Sequence, residues 1–162
     1  MAATRIGMAR WLMTLALLGG MAMAGARPAL AGGDWNEDGI KWRTYDDGLA
    51  EAKKSKKPVC LIFFTEWCPH CANYSKVFHD PKVVEKSKQF VMIRVDNDKN
   101  QALSKQFAPD GSYIPRTYFL ASSGALDADI HAQRDQFKYF YDEHNPDSVL
   151  AAMDAALKKL KN

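Results

Sequence analysis

The sequence predicts a three-layer α/β domain in which a central mixed β-sheet is flanked by helices. The first observation is the run Val59–Phe64, because a strand that is apolar throughout is typical of a central position buried on both faces. The second is the alternation of strand-like and helix-like segments over residues 40–120, which favours parallel strands with helical crossovers. The third is an apolar stripe at helical spacing after Asn145-Pro146, which predicts a C-terminal helix.

The first strand and the first helix are predicted before residue 58. Residues 40–43 form a short strand candidate, and residues 45–56 are rich in Ala, Glu and Lys, as in a partly exposed helix. Thr44 or Asp46 can cap this helix with a side-chain oxygen. Pro58 ends it and separates it from the apolar strand, because proline has no amide hydrogen to continue a helix.

Three helical segments and one strand are predicted in the middle of the chain. A helix starts at Cys68 and runs to about His79, where Asp80-Pro81 interrupts it. The elements that follow are a short helix over residues 82–88, a strand over residues 90–96 and a short helix over residues 100–107.

The last part of the chain contains a predicted hairpin and the C-terminal helix. A strand over residues 114–120 turns at residues 122–124 into a second short strand over residues 125–130. Residues 131–144 show no clear periodicity, and no element is assigned to them. Asn145 caps the final helix, and Pro146 takes its first position, where a missing amide hydrogen costs no hydrogen bond.

Residues 1–31 have the features of a secretory signal peptide. Arg5 and Arg10 precede an apolar stretch over residues 11–26, and Ala29-Leu30-Ala31 has the small-x-small pattern of a cleavage site. The stretch is shorter than the roughly 20 residues that span a bilayer, which disfavours the alternative of an uncleaved anchor. We therefore expect cleavage after Ala31 and export to a bacterial periplasm, with secretion from the cell as the alternative.

Charge and cysteine content restrict the function of residues 32–162, which we expect to form one monomeric domain. The 22 Lys and Arg residues include Arg5, Arg10 and Arg27 of the leader, which leaves 19 against 19 Asp and Glu. This balance gives no indication of a nucleic-acid partner. Three cysteines are too few for a disulfide-stapled scaffold. Cys60 lies in the apolar strand, where a buried, unreactive thiol is expected, and a resolving or regulatory role is the alternative.

The sequence Trp67-Cys68-Pro69-His70-Cys71 follows the apolar strand and carries the strongest functional signal. Its two thiols lie one helical turn apart on the same face, so they can close a disulfide. The helix that begins here directs unpaired amide hydrogens and its positive dipole end toward Cys68, and Pro69 suits the first helical position. The arrangement indicates thiol–disulfide exchange by Cys68 and Cys71, with a stabilised thiolate at Cys68.

Residues 64–71, Phe-Thr-Glu-Trp-Cys-Pro-His-Cys, together with Ile114-Pro115 resemble the thioredoxin fold over residues 40–160. In that family the proline is cis and faces the dithiol. The resemblance implies that Ile114 and Pro115 form a wall that holds the substrate backbone beside Cys68, and that Trp67 also binds substrate. It further implies that Pro69 and His70 act in catalysis with the two cysteines. An ordinary edge-strand proline is the alternative for Pro115.

A narrower resemblance is to small secretory thioredoxin-domain proteins related to the anterior-gradient family. The segments that carry it are Gly48-Leu49-Ala50-Glu51-Ala52, Ser55-Lys56-Lys57-Pro58, Ser112-Tyr113-Ile114-Pro115-Arg116 and Tyr139-Phe140-Tyr141. It implies a disulfide oxidoreductase or a protein that handles folding clients. Because the sequence ends in Leu160-Lys161-Asn162 rather than in an endoplasmic-reticulum retrieval tetrapeptide, we expect a bacterial periplasmic relative.

Two departures from thioredoxin bear on the chemistry. Thioredoxin has a buried carboxylate six residues before its first active cysteine, and Ile62 takes that position here, so water or Glu66 must accept the proton of Cys71. The dipeptide Pro69-His70 resembles that of the strong oxidant DsbA, although the chain has no room for the helical insertion of that protein. A histidine that is protonated, or that donates its N–H toward sulfur, stabilises the thiolate and so raises the reduction potential. We expect an intermediate to oxidising couple.

The sequence therefore predicts an exported thiol–disulfide oxidoreductase that acts on protein thiols and disulfides and is served by a membrane redox partner. No cofactor and no metal are expected. Two alternatives stay open: a client-binding chaperone that uses the aromatic residues 137–141, and a Cu(I)-handling module, since soft thiolates favour Cu(I). A structural zinc site would need a second close pair of ligands. Haem attachment is excluded because Ala72, not histidine, follows Cys71.

Overall fold

A mixed four-stranded sheet forms the centre of the domain in the computed structural model, which describes residues 32–160. The predicted signal peptide, residues 1–31, lies outside the described residues. The strands are β1 (Trp42–Arg43), β2 (Val59–Phe64), β3 (Val91–Asp96) and β4 (Arg116–Leu120), in the spatial order β1-β3-β2-β4. The pairs β1·β3 and β2·β3 are parallel, and β2·β4 is antiparallel.

Helices cover both faces of this sheet. They are α1 (Tyr45–Ser55), α2 (Pro69–Ser75), α3 (Pro81–Ser87), α4 (Gln101–Gln106) and α5 (Asp147–Leu160), and a 3₁₀ turn (Lys76–His79) follows α2. Alternate residues of β2 divide the core: Cys60 and Ile62 face a cluster shared with α2, α3 and α5, whereas Leu61 and Phe63 face α1 and the residues around α4. The predicted three-layer α/β class with a mixed sheet is confirmed.

Local capping chemistry sets most of the helix ends. Thr44, rather than Asp46, caps α1, because its side-chain oxygen accepts the amide of Asp47. The carboxylate of Asp80 accepts two amides at the start of α3, which explains why the chain breaks there between two helical segments. The side chain of Asn145 accepts the Asp147 amide at 2.9 Å, as expected for a cap of α5. The helix begins at Asp147, so Pro146 precedes it and does not take its first helical position as predicted.

The prediction of a second hairpin strand over residues 125–130 is wrong. Residues 125–130 form no strand, and one isolated bridge between Leu120 and Leu126 is their only ladder contact with β4 in the described structure. The carboxylate of Asp127 accepts the amide of Asp129, a local turn that competes with strand pairing. Both carboxylates also bind the ammonium group of Lys159, at 2.9 and 2.8 Å, so the segment lies toward α5.

Residues 131–146 form a strap without regular secondary structure, and no element was predicted for residues 131–144. The side chains of Tyr139 and Tyr141 are buried, and the amide of Thr117 donates to the carbonyl of Tyr139 at 2.8 Å. The strap therefore lies beside the first residues of β4. From there it returns to α5 past the start of α2, which places its last residues next to the dithiol.

The residues before β1 pack against the helix that carries the dithiol. Gly33 has a φ of 88°, and a Cβ at this position would lie 2.8 Å from the Cα of Ala72, so only glycine fits the close approach. Trp35 is buried and donates its indole N–H to the carbonyl of Gly32. Among residues 32–160, none of the helices combines the length and the apolar character needed to cross a membrane.

Candidate active site

Cys68 lies at the junction between β2 and α2, where the sequence predicts it. It is the N-cap residue of α2, and its Sγ accepts a hydrogen bond from the backbone N–H of Cys71 at 3.2 Å. Pro69 takes the first helical position. The sulfur thus replaces the oxygen of an ordinary cap, and the amide and the helix dipole both favour negative charge on it.

The two thiols of the motif differ in their environment. Cys71 is fully buried, whereas Cys68 retains 3% exposure, and both are free thiols in this structure. Burial raises the pKa of Cys71 strongly, its hydrogen bond with Cys68 and the charges of Cys68 and Glu143 add to the rise, and a backbone hydrogen bond from Thr65 opposes it. Cys71 is therefore a thiol at neutral pH, and Cys68 is the sulfur nearer to solvent.

The predicted substrate wall lies directly against Cys68. The Ile114–Pro115 peptide bond is cis, and the Sγ of Cys68 lies 4.0 Å from the carbonyl oxygen of Ile114. Trp67 is 67% exposed, and its indole N–H donates to the carboxylate of Asp98 at 2.7 Å, which orients the ring. The structure therefore brings Cys68, Ile114 and Pro115 together and leaves Trp67 exposed beside them.

Arg116, which the sequence analysis did not single out, holds the loop before Pro115. Its guanidinium group is fully buried and donates to the carbonyls of Phe107 and Gly111 at 2.9 and 3.1 Å and to the side chain of Asn97 at 3.0 Å. Each of these partners precedes Pro115 in the sequence. Arg116 thus ties the segment of residues 97–111, which contains α4, to the first residue of β4.

His70 is directed toward a carboxylate rather than toward sulfur. Its Nδ1 lies 2.9 and 3.1 Å from the two carboxylate oxygens of Glu143, and its ring packs edge-on against Phe140. Of the two predicted roles of His70, donation of an N–H to sulfur is not made by Nδ1, because Glu143 binds it, and a protonated ring stays the other prediction. A hydrogen bond in this geometry places a proton on Nδ1 and leaves Nε2 as the exposed nitrogen of the ring.

Glu143 is the site residue that sequence reasoning missed. Its side chain is 13% exposed. Its carboxylate also lies 3.5 Å from the side-chain nitrogen Nδ2 of Asn73 and 3.3 Å from Nε2 of His144. It lies in the strap, where no periodicity assigned an element, and is separated from His70 by 73 positions. No motif links the two, so only the fold could reveal the contact.

The two residues discussed for proton transfer from Cys71 occupy very different places. Ile62, which replaces the buried carboxylate of thioredoxin, is fully buried in the same apolar cluster as Cys71 and cannot accept a proton. The side chain of Glu66 is 69% exposed and faces the ammonium group of Lys99 at 3.5 Å. The charge of Glu143 contributes to the raised pKa of Cys71.

A surface groove adjoins the site on the side of His70. Its volume is about 760 Å³, and His70, Phe140, Asp142 and Glu143 are among the residues that line it. The rest of the lining comes from residues 129–134 and from residues of α5 between positions 148 and 155. The groove gives solvent access to the pair formed by His70 and Glu143.

The third cysteine and most of the aromatic residues of the strap contribute to packing. Cys60 is fully buried and its pKa is raised by burial, as expected for an unreactive thiol. Of the aromatic residues 137–141, Tyr139 and Tyr141 belong to the core, and Phe137 is the large hydrophobic residue that stays exposed, at 49%. No group of three potential metal-ligating side chains lies together within the described part of the chain.

Comparison with known proteins assigns the family. Residues 41–122 match the family model described as Thioredoxin-like. The chain is 34% identical over 128 residues to human anterior gradient protein 2 homolog, covering 78% of this chain and 71% of that protein. It is 31% identical over 130 residues to anterior gradient protein 3 of Xenopus tropicalis, covering 78% and 77%.

Solved structures agree on the fold. A thioredoxin from Thermus thermophilus superposes with a TM-score of 0.59 at 23% identity, covering 75% of this chain and 89% of that one. A structure described as DsbH oxidoreductase gives a TM-score of 0.56 at 21% identity, covering 86% and 95%. Both the broad and the narrow resemblance are confirmed: the chain belongs to the thioredoxin-like family and is related to the anterior gradient proteins.

Proposed function

We propose that the protein is an exported thiol–disulfide oxidoreductase that exchanges disulfides with protein clients through Cys68 and Cys71. The observation that carries the proposal is the position of the Cys68 sulfur. It caps α2, accepts the amide of Cys71 at 3.2 Å and lies 4.0 Å from the carbonyl of Ile114. Membership of the thioredoxin-like family supports the same class of chemistry.

The different environments of the thiols suggest their order of action. In the reducing direction, the Cys68 thiolate attacks one sulfur of a client disulfide, which forms a mixed disulfide and releases one client thiolate. Cys71 then gives its proton to water and attacks the sulfur of Cys68, which closes the Cys68–Cys71 disulfide and releases the second client thiolate. The oxidising direction is the reverse sequence. Burial keeps Cys71 protonated until the mixed disulfide forms.

Clients would bind along the residues beside Cys68. We propose that Ile114 and Pro115 hold the client backbone and that Trp67 contacts a client side chain. Phe137 extends this apolar surface, because its ring packs against Tyr113, the residue before Ile114, with ring centroids 4.9 Å apart. Exposed aromatic side chains of this kind favour binding of unfolded segments.

We propose export to a periplasm with residues 1–31 as a cleavable signal peptide. The basic residues, the apolar stretch and the small residues before Gly32 support this assignment. An exported dithiol needs a source or sink of electrons in its compartment. A membrane redox partner that recharges the Cys68–Cys71 pair is therefore part of the proposal.

Trapping of client disulfides tests the proposed chemistry. Cys71→Ser should accumulate mixed disulfides between Cys68 and client proteins, because the resolving thiol is missing, and Cys68→Ser should form none. Cys60→Ser is the matched control and should behave as the unsubstituted protein in insulin reduction. Full insulin reduction by the Cys68→Ser variant would contradict the proposal.

A client-binding chaperone is the second candidate, and the exposed Trp67 and Phe137 favour it. The variant with both Cys68 and Cys71 replaced by Ser separates the two functions. A chaperone retains suppression of aggregation of a reduced client in that variant, whereas an oxidoreductase loses thiol–disulfide exchange.

A further inference from the structure

We propose that Glu143 is a positioning residue that tunes the redox couple. Its carboxylate holds the ring of His70 and places a negative charge beside the dithiol, which makes the protein a weaker oxidant than its Cys-Pro-His-Cys sequence alone would make it. The proposal rests on the proposed thiol–disulfide exchange and assigns a residue that sets its driving force.

The contacts of Glu143 show that its carboxylate is held in place. Both oxygens lie within 3.1 Å of Nδ1 of His70, and one lies 3.5 Å from the amide nitrogen of Asn73. His70 and Asn73 both belong to α2, the helix that begins at Cys68. Three contacts to one short helix fix the carboxylate relative to the two sulfurs, although Glu143 itself lies in the strap.

The partial burial of Glu143 makes its charge effective. With 13% of its side chain exposed, the carboxylate is screened by water less than a surface carboxylate such as that of Glu85, which is 75% exposed. The charge of Glu143 contributes to the raised pKa of Cys71. The carboxylate thus opposes negative charge on the dithiol from a fixed position.

The sign of the effect follows from the charges of the site. Reduction of the Cys68–Cys71 disulfide creates a thiolate at Cys68, so a nearby negative charge destabilises the reduced form and lowers the reduction potential. The pairing with Glu143 also offsets the positive charge of a protonated His70. With His70 in a given protonation state, Glu143→Gln removes one negative charge and stabilises the thiolate.

The other charged groups near Glu143 do not change in this substitution. His144 lies 3.3 Å from one of its oxygens and is mostly exposed. The groove beside it is lined by Asp129, His131, Arg134 and Asp142. Glu143→Gln therefore changes the formal charge of the site by one unit and leaves these neighbouring side chains in place.

The test is the equilibrium between the disulfide and glutathione. Two molecules of reduced glutathione convert the Cys68–Cys71 disulfide into two thiols and yield one molecule of oxidised glutathione, and the equilibrium constant is measured at pH 8 from the tryptophan fluorescence or by alkylation. For Glu143→Gln we expect a shift of about threefold to tenfold toward the reduced form, which corresponds to a rise of ~14 to ~30 mV in reduction potential. The pH profile of iodoacetamide reaction at Cys68 should move to lower pH.

Matched variants separate the charge of Glu143 from a structural role. Glu143→Asp keeps the charge, so its equilibrium constant should stay within about twofold of the unsubstituted value. Glu85→Gln, the same change in α3, should leave the constant unchanged. Thermal unfolding of each variant records any loss of stability, which by itself would not move the equilibrium in the stated direction.

An equilibrium constant of Glu143→Gln that equals that of the unsubstituted protein, or is shifted toward the disulfide, would overturn the inference. If release of a trapped glutathione mixed disulfide is then also slower in Glu143→Gln, Glu143 acts as a base for Cys71 instead. If the unsubstituted dithiol does not exchange with glutathione at all, the proposed function fails rather than this inference alone.

Discussion

The hydrogen bond between Tyr74 and Thr117 connects the helix that carries the dithiol with the strand that follows Pro115. Its contribution to the free energy of unfolding can be measured with a double-mutant cycle. Tyr74 lies in α2, three residues after Cys71, and Thr117 lies in β4, two residues after Pro115. Their hydroxyl oxygens are 3.0 Å apart, and both residues are fully buried. Solvent therefore cannot replace one hydroxyl when the other is removed.

The burial of both hydroxyls sets the expected loss of unfolding free energy. Tyr74→Phe and Thr117→Val each remove one hydroxyl, keep the shape of the side chain and leave the partner hydroxyl unsatisfied, at a cost of about 1–3 kcal/mol of unfolding free energy. The variant with both substitutions leaves neither partner unsatisfied. Its loss should be close to that of one single variant, which gives a coupling free energy of about 1–3 kcal/mol.

Urea unfolding of the four proteins provides the assay. A loss of ~1.5 kcal/mol lowers the midpoint by about 1 M urea at a slope of ~1.5 kcal/mol per M, and the slope should not change. Tyr141→Phe is the matched control, because the Tyr141 hydroxyl is buried without a hydrogen-bond partner in the described structure, so its removal should cost little. Strictly additive losses in the Tyr74 and Thr117 variants would refute the reasoning.

Three further predictions concern binding, reactivity and pH. Trp67→Ala should weaken binding of an unfolded client without changing the glutathione equilibrium, as measured by titration of a cysteine-free peptide. Cys60, whose pKa is raised by burial, should resist iodoacetamide at pH 8 in the folded protein and react in urea, as mass spectrometry can show. Burial raises the pKa of Asp96, but hydrogen bonds from Lys99 and Asp98 lower it by more, so the pKa lies below its ordinary value. Stability from Asp96 is therefore present above about pH 4 and lost as pH falls, and Asp96→Asn should flatten the acid limb in urea unfolding.

The elements predicted correctly are those fixed by neighbouring residues. The run Val59–Phe64 is apolar throughout and forms the buried central strand β2, because every side chain on both faces must meet a helix layer. Thr44 and Asn145 cap helices, as predicted, through oxygens that bind amides two or three residues ahead. The motif beginning at Cys68 combines both kinds of signal, which is why its position could be predicted.

The features that the sequence analysis predicted wrongly or missed involve contacts between distant parts of the chain. Residues 125–130 alternate weakly and follow a turn, which favours a hairpin, but Lys159 of α5 binds Asp127 and Asp129 and the strand does not form. Arg116 donates to carbonyls that only the folded loop brings within reach. Charged side chains in such roles leave no periodic pattern, so hydrophobic spacing cannot identify them.

Because His70 pairs with Glu143, the Cys-Pro-His-Cys motif alone does not determine the reduction potential. The two residues between the cysteines favour an oxidising couple because histidine can add positive charge near the Cys68 thiolate. That contribution depends on what the histidine binds, and here Nδ1 binds a carboxylate from the strap. Two proteins with the same Cys-Pro-His-Cys sequence can thus differ in potential through a residue that lies about 70 positions away. A reduction potential assigned to such a motif therefore requires the partner of its histidine to be known, and in this protein the partner is Glu143.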